Sequence, residues 1–117
     1  MTEAADCLFC KIVRGEIPSE VVTDNDACLA FRDINPQAPT HVVVVPKQHH
    51  PDMAALATAD PGLTGRLLAT MADVAQAEGL SDDGYRMVFN TGAGAGQTVF
   101  HVHGHVLGGR RMTWPPG

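Results

Sequence analysis

Three histidines stand at alternating positions near the C-terminus, in the run His101-Val102-His103-Gly104-His105. In an extended strand successive side chains point to opposite faces. The three imidazoles would then share one face, with Val102, Gly104 and Val106 on the other. Same-face Cα positions along such a ribbon lie roughly 6.5–7 Å apart. Half of the chain's six histidines are gathered on this stretch. Neutral imidazole is a base, a nucleophile or a metal ligand near neutral pH. A row of imidazoles beside a glycine-rich loop therefore points to chemistry on a phosphorus centre or a metal. A plain solvated strand face would more commonly carry Lys or Thr.

At 117 residues the chain reads as a single domain, residues 1–117, large enough to bury one core. The formal net charge of -5 argues against general nucleic-acid binding, which needs a basic field. A single phosphate remains possible, because backbone N–H groups and imidazoles can hold it whatever the global charge. Met1 to Asp6 is polar and acidic and is expected to be flexible; it has neither the apolar core nor the basic flank of a signal peptide. No apolar run approaches the ~20 residues of a membrane span. A cytoplasmic location is expected, and three cysteines, an odd number, agree with it.

The chain reads as α+β. A short helical turn over Cys10–Arg14 ends at Gly15. Val21–Thr23 and Cys28–Asp33 form a hairpin across the turn formers Asp24, Asn25 and Asp26. His41–Val45 is a β-branched run suited to a central strand buried on both faces. One long helix is predicted between Pro61 and Gly79, capped by Asp60. Its stripe of Leu63, Leu67, Met71, Val74 and Ala75, widened by Leu68, should pack on the sheet. Tyr85–Asn90 and Val99–Leu107 read as strands joined by the loop Thr91–Gln97. The order suggests an antiparallel sheet meander. Residues 112–117 form an irregular tail, and Trp114 needs somewhere to bury its ring.

Several segments taken together resemble one family. His101 to Leu107 matches the histidine triad pattern, with Gly104 in place of an apolar residue. Gly15-Glu16-Ile17-Pro18, Ala30-Phe31-Arg32-Asp33-Ile34, Pro36-Gln37-Ala38-Pro39-Thr40-His41, Val45-Pro46-Lys47 and Trp114-Pro115-Pro116-Gly117 resemble the Hint branch of that superfamily. The resemblance implies a homodimeric nucleotide-binding protein that cleaves phosphoramidates of purine nucleoside monophosphates. In that chemistry the middle histidine, His103 here, attacks the α-phosphorus, and water then releases the monophosphate. A neutral imidazole suits an anionic phosphorus centre, and a covalent intermediate divides one hard step into two easier ones.

The other roles follow from the same resemblance. His105 would hold a phosphate oxygen or relay a proton, and His41 and His101 would complete the catalytic set. Asp33 would accept from the ribose hydroxyls. Phe9, Ile17, Phe31 and Ile34 would wall the base pocket. Asn90, Gly96 and Thr98 match phosphate-region positions, with Thr98 where serine is common. Gln97 would orient the substrate or simply be exposed, and Trp114 would shape leaving-group preference. The glycines of the 92–96 loop would let the backbone approach an oxyanion closely.

Cys7-Leu8-Phe9-Cys10 could be redox-active or half of a zinc site. Triad relatives with this pattern build a structural Cys₂His₂ zinc site, which implies Cys7, Cys10, His49 and His101 as ligands, with His50 exposed. His101 would then brace His103 and stand outside any proton relay. Cys28 reads as a small buried hydrophobe. Three other classes compete: an AMP-binding module with little turnover, a dinucleoside polyphosphate hydrolase, and a metal-dependent hydrolase or oxygenase. The last wants a carboxylate beside the histidines, and none occurs between Gly84 and Gly117.

Overall fold

The computed structural model describes residues 6–117. The expectation of a flexible start falls on residues 1–5, outside the described residues, and on Asp6. Five antiparallel strands form one sheet: β1 (Val21–Asp24), β2 (Cys28–Arg32), β3 (Thr40–Pro46), β4 (Tyr85–Val88) and β5 (Gly104–Gly108). Their order in space is β1-β2-β3-β5-β4, so β5 inserts between β3 and β4. This puts β3, the β-branched run, at the centre, and Val42 to Val45 are buried. The α+β expectation holds, and among the described residues no helix is long and apolar enough to cross a membrane.

The sheet carries one apolar layer on each face. One layer packs under α3 (Pro61–Ala77), whose Leu63, Leu67, Met71, Val74 and Ala75 are buried with Val42, Val44, Val102 and Val106. Asp60 caps this helix through Leu63 N–H at 3.0 Å, with Pro61 at its first turn. Leu68 does not widen the stripe; it is 42% exposed. Thr70 is buried in the stripe's place, its hydroxyl bonded to Asn25 and to Arg66 O. The opposite layer is smaller: Phe9 from α1 (Leu8–Val13) covers Leu29, Phe31, Val43 and Val45.

Four features differ from the sequence reading. The first helix begins at Leu8, because the Cys7 thiol caps it by accepting Cys10 N–H at 3.3 Å. A further short helix, α2 (Met53–Ala59), precedes α3, capped by Asp52 through Ala55 N–H at 2.8 Å. Only Leu56 of α2 is buried, so its sequence carries no apolar stripe to betray it. The histidine strand is also shorter than Val99–Leu107. His101 to His103 lie before β5, and Val102 N–H bonds to His50 O at 2.7 Å in place of a ladder partner. β4 likewise stops at Val88, before Asn90.

Candidate active site

The alternation of the histidine run survives this shortening. Val102 and Val106 belong to the layer under α3, and a Cβ on Gly104 would point at Met71. His103 and His105 face the other way, into a cavity of about 400 Å³. Its floor and walls include Phe9, Ile17, Phe31, Val43 and Val99, and Asp33 and Thr98 bring polar atoms to it. Phe9 meets the His103 ring edge-on, with centroids 4.8 Å apart. The cavity is therefore apolar over most of its wall and has two imidazoles at one end.

Hydrogen bonds fix the tautomer of each ring. His103 Nδ1 stands 2.8 Å from the carbonyl of His101. A carbonyl only accepts, so Nδ1 carries the proton and Nε2 keeps its lone pair. Gln37 N–H donates to His41 Nδ1 at 3.0 Å. That leaves the proton of His41 on Nε2, which donates to His105 Nδ1 at 2.8 Å and has Asp33 Oδ2 at 3.4 Å. His105 must then carry its own proton on Nε2. The pair thus presents one bare nitrogen, on His103, beside one N–H donor, on His105.

Burial keeps these rings neutral. It lowers the pKa of His105 to about 4, helped by the neighbouring His103 and His41. Burial also holds His41 and His103 below the ordinary imidazole value, against the opposing pull of Asp33. Neutral imidazole is the form that can attack phosphorus.

A second cluster lies behind the first. Cys7, Cys10, His49 and His101 place their ligand atoms within 4.8 Å of one another. His101 is fully buried, and its Nε2–H donates to Pro46 O at 2.8 Å, so its Nδ1 lone pair faces the cluster. Around it stand Cys7 Sγ at 3.3 Å, Cys10 Sγ at 3.5 Å and His49 Nδ1 at 3.1 Å. Tetrahedral zinc with N and S ligands sets N···S edges of roughly 3.6 Å and N···N edges of roughly 3.4 Å. Two thiols and two imidazole nitrogens at nearly these spacings fit a tetrahedral soft-metal site.

A HIT domain model matches residues 14–112 of this sequence. The chain belongs to the HIT domain family. A HIT family hydrolase from Legionella pneumophila is similar in structure, with a TM-score of 0.92 and 54% identity over 96% of this chain and 100% of that one. A histidine triad nucleotide-binding protein from Candida albicans superposes with a TM-score of 0.80 at 31% identity, covering 86% of this chain and 73% of that one. A 14 kDa zinc-binding protein of Zea mays is 50% identical over 94% of this chain and 87% of its own length.

The HIT fold gathers most of the residues singled out from sequence. Phe9, Ile17, Phe31, Asp33, Ile34, Thr98, His103 and His105 line the cavity. Ile34 does so from the rim, its side chain fully exposed. Asn90, Gly96 and Trp114 are not among the lining residues, and Trp114 lies in the exposed tail beyond the end of β5 at Gly108. Gln97 is neither exposed nor turned to the cavity. Its buried amide accepts from Gly92 N–H and donates to Pro51 O and Val99 O, pinning the glycine loop. Sequence reading missed Leu8, Ile12, Pro18, Ser19, Arg32, Val43 and Val99 as cavity walls. Val43 was findable: it is directly opposite His105 in the β3–β5 register. The absence of a nearby carboxylate along the chain also misleads, because the fold brings Asp33 to His41.

Proposed function

We propose that this protein is a nucleotide-binding hydrolase that cleaves purine nucleoside 5′-phosphoramidates through a nucleotidyl-histidine intermediate on His103. The observation that carries the reading is the bond from His103 Nδ1–H to His101 O at 2.8 Å, which leaves Nε2 unprotonated on a ring lining the cavity. The apolar walls suit a purine, and Asp33 suits the ribose hydroxyls, as a carboxylate accepting two O–H donors.

In the first step His103 Nε2 bonds to phosphorus and the P–N bond of the substrate breaks. The Thr98 hydroxyl donates one proton to the leaving nitrogen, which departs as the amine, and Thr98 regains that proton from the water of the second step. His105 Nε2–H donates to a phosphoryl oxygen as charge builds there. In the second step water attacks phosphorus, the P–Nε2 bond breaks, and a proton from that water restores the site. The products are the nucleoside monophosphate and the amine.

A zinc ion held by Cys7, Cys10, His49 and His101 would tie α1 to the segments before and after it in space, as a structural brace. The same reading takes the working unit as a homodimer, in which Trp114, 82% exposed on its own chain, closes the leaving-group side of the neighbouring cavity. The deciding test is hydrolysis of adenosine 5′-phosphoramidate by wild type and His103→Asn, each with and without a chelator. Turnover that survives chelation and vanishes in the variant, while AMP still binds, supports the reading. A folded wild type that binds AMP without turnover supports a binding module in its place. Turnover abolished by chelation of a still-folded protein overturns the histidine mechanism.

A further inference from the structure

The loop between β2 and β3 starts at Asp33 and leads into His41, the second residue of β3, and it is closed on itself. Asp33 N–H bonds to His41 O at 3.0 Å, Asn35 N–H to Asp33 Oδ1 at 2.8 Å, and the Gln37 side chain to Asn35 O at 3.0 Å. From outside, the segment just after β5 fastens it. Arg110 Nε donates to Gln37 O at 3.0 Å, and its Nη1 donates to Arg111 O at 3.0 Å. The guanidinium thus bridges two backbone carbonyls, one on each segment. Its neighbour Gly109 has φ +88°, and a Cβ there would stand 2.9 Å from Pro39 Cβ, so the two segments touch closely.

Gln37 is the residue whose N–H reaches His41 Nδ1. Arg110 on its carbonyl and His41 on its N–H hold the residue from both sides. A continuous line of hydrogen bonds runs from Arg110 through Gln37 and His41 to His105. If the N–H turned away, His41 could carry its proton on Nδ1. The bond to His105 would then reverse, with His105 Nδ1–H donating to His41 Nε2. His105 would offer a lone pair to the cavity where it now offers a donor, and a lone pair repels a phosphoryl oxygen.

We propose that Arg110 is a positioning residue: by holding the Gln37 carbonyl it locks the direction of the His41–His105 hydrogen bond, so that His105 presents Nε2–H to the cavity. This rests on the reading of the cavity as a phosphoryl-transfer site, but the lock itself is a property of the ligand-free protein. Arg110 touches neither His41 nor His105 in this network and acts only through Gln37.

The test compares Arg110→Ala, Arg110→Lys and Gln37→Pro, the last removing the N–H donor itself. Long-range ¹⁵N–¹H spectra of the histidine rings report which nitrogen carries each proton, with no substrate present. The lock predicts that Gln37→Pro and Arg110→Ala move part of the His41 population to the Nδ1–H form. Arg110→Lys, which keeps one cationic donor, should recover part of the wild-type pattern. In parallel, kcat for adenosine 5′-phosphoramidate should fall about tenfold in Arg110→Ala, the effect of one lost hydrogen bond to a charged group. KM should change much less. Unchanged His41 and His105 tautomers in folded Arg110→Ala would overturn the proposal, even if turnover fell. If Gln37→Pro does not fold, the two Arg110 variants decide. If wild type turns out to have no phosphoramidase activity, the hydrolase reading fails while the spectra still decide the lock.

Discussion

His101 and His103 are joined by a bond between a ring and a backbone. The Nδ1–H of His103 is held by the carbonyl of His101, while the His101 ring turns the other way, into the thiol cluster. One residue therefore serves two sites. Its carbonyl sets the tautomer of the candidate nucleophile, and its Nδ1 faces Cys7, Cys10 and His49. Phe9 packs edge-on against both rings, at 6.0 Å from His101 and 4.8 Å from His103 between centroids.

This arrangement predicts one tightly bound zinc per chain, lost in Cys10→Ser. Metal analysis of the purified protein and the variant checks the stoichiometry. A ligand that binds only the native state adds its binding energy to stability. Chelation should therefore lower the melting temperature by more than about 5 °C, which corresponds to roughly 1 kcal/mol or more in a domain of this size. Adding zinc back, and not magnesium, should restore it, since two thiols select a soft ion.

Gly104 and Met71 give a second prediction. A Cβ on Gly104 would stand 2.4 Å from Met71 Cε, 2.5 Å from its sulfur and 2.9 Å from Phe89 Cε1. Met71 thus fills the space that an apolar side chain takes at this point of the triad pattern. Gly104→Ala should cost about 1 kcal/mol, because the far end of a methionine can swing aside, and Gly104→Val about 3 kcal/mol. Met71→Ala alone should cost about 2–5 kcal/mol by leaving a cavity. In the double variant Gly104→Val with Met71→Ala the costs should fall short of their sum by about 1 kcal/mol or more. Urea denaturation of the four proteins checks this, and simple additivity would show that the two sites do not share one space.

The same pair shows what was legible in the sequence. Period-two alternation put the imidazoles on one face and Val102 and Val106 under the helix, and the structure keeps that division even where the backbone is no longer a strand. Such patterns are legible because burial of one face is periodic along the chain. Contacts between distant segments are not. Cys7 and His101 are 94 residues apart, and only the family pattern could pair them. Gln97 reads from sequence as substrate-orienting or exposed, yet its amide is buried and consumed by three backbone groups, Gly92 N–H, Pro51 O and Val99 O. The donor that sets the His41 tautomer is a backbone N–H, which no residue type announces.

Asp33 faces the cavity, and its carboxylate also accepts from Asn35 N–H at 2.8 Å. If it holds the ribose, Asp33→Asn should weaken AMP about tenfold or more, the effect of weakening charge-assisted bonds. The same substitution should barely affect 2′,3′-dideoxy-AMP, which lacks both hydroxyls. Isothermal titration with the two ligands measures the difference. Equal losses for both would assign Asp33 to the loop and the histidine network alone.

The pH behaviour follows from His105. Its pKa is lowered from an ordinary value near 6.5 to about 4, chiefly by burial, with His103 and His41 adding and Asp33 opposing. Below pH 6.5 the unfolded chain takes up a proton at this position while the native ring does not. The unfolded state then binds more protons, so stability falls as the pH drops from about 6.5 to about 4 and levels off below that. The shift corresponds to at most roughly 3 kcal/mol. Replacing His105 by Gln removes its share and should make the fall in stability across that window shallower, while His41 and His103, also lowered by burial, keep theirs. Denaturation at a series of pH values, with wild type and His105→Gln both saturated with zinc, measures this. Identical slopes in the two proteins would show that the ring is already charged in the native state, and a charged His105 could not accept the proton that His41 Nε2 directs at its Nδ1.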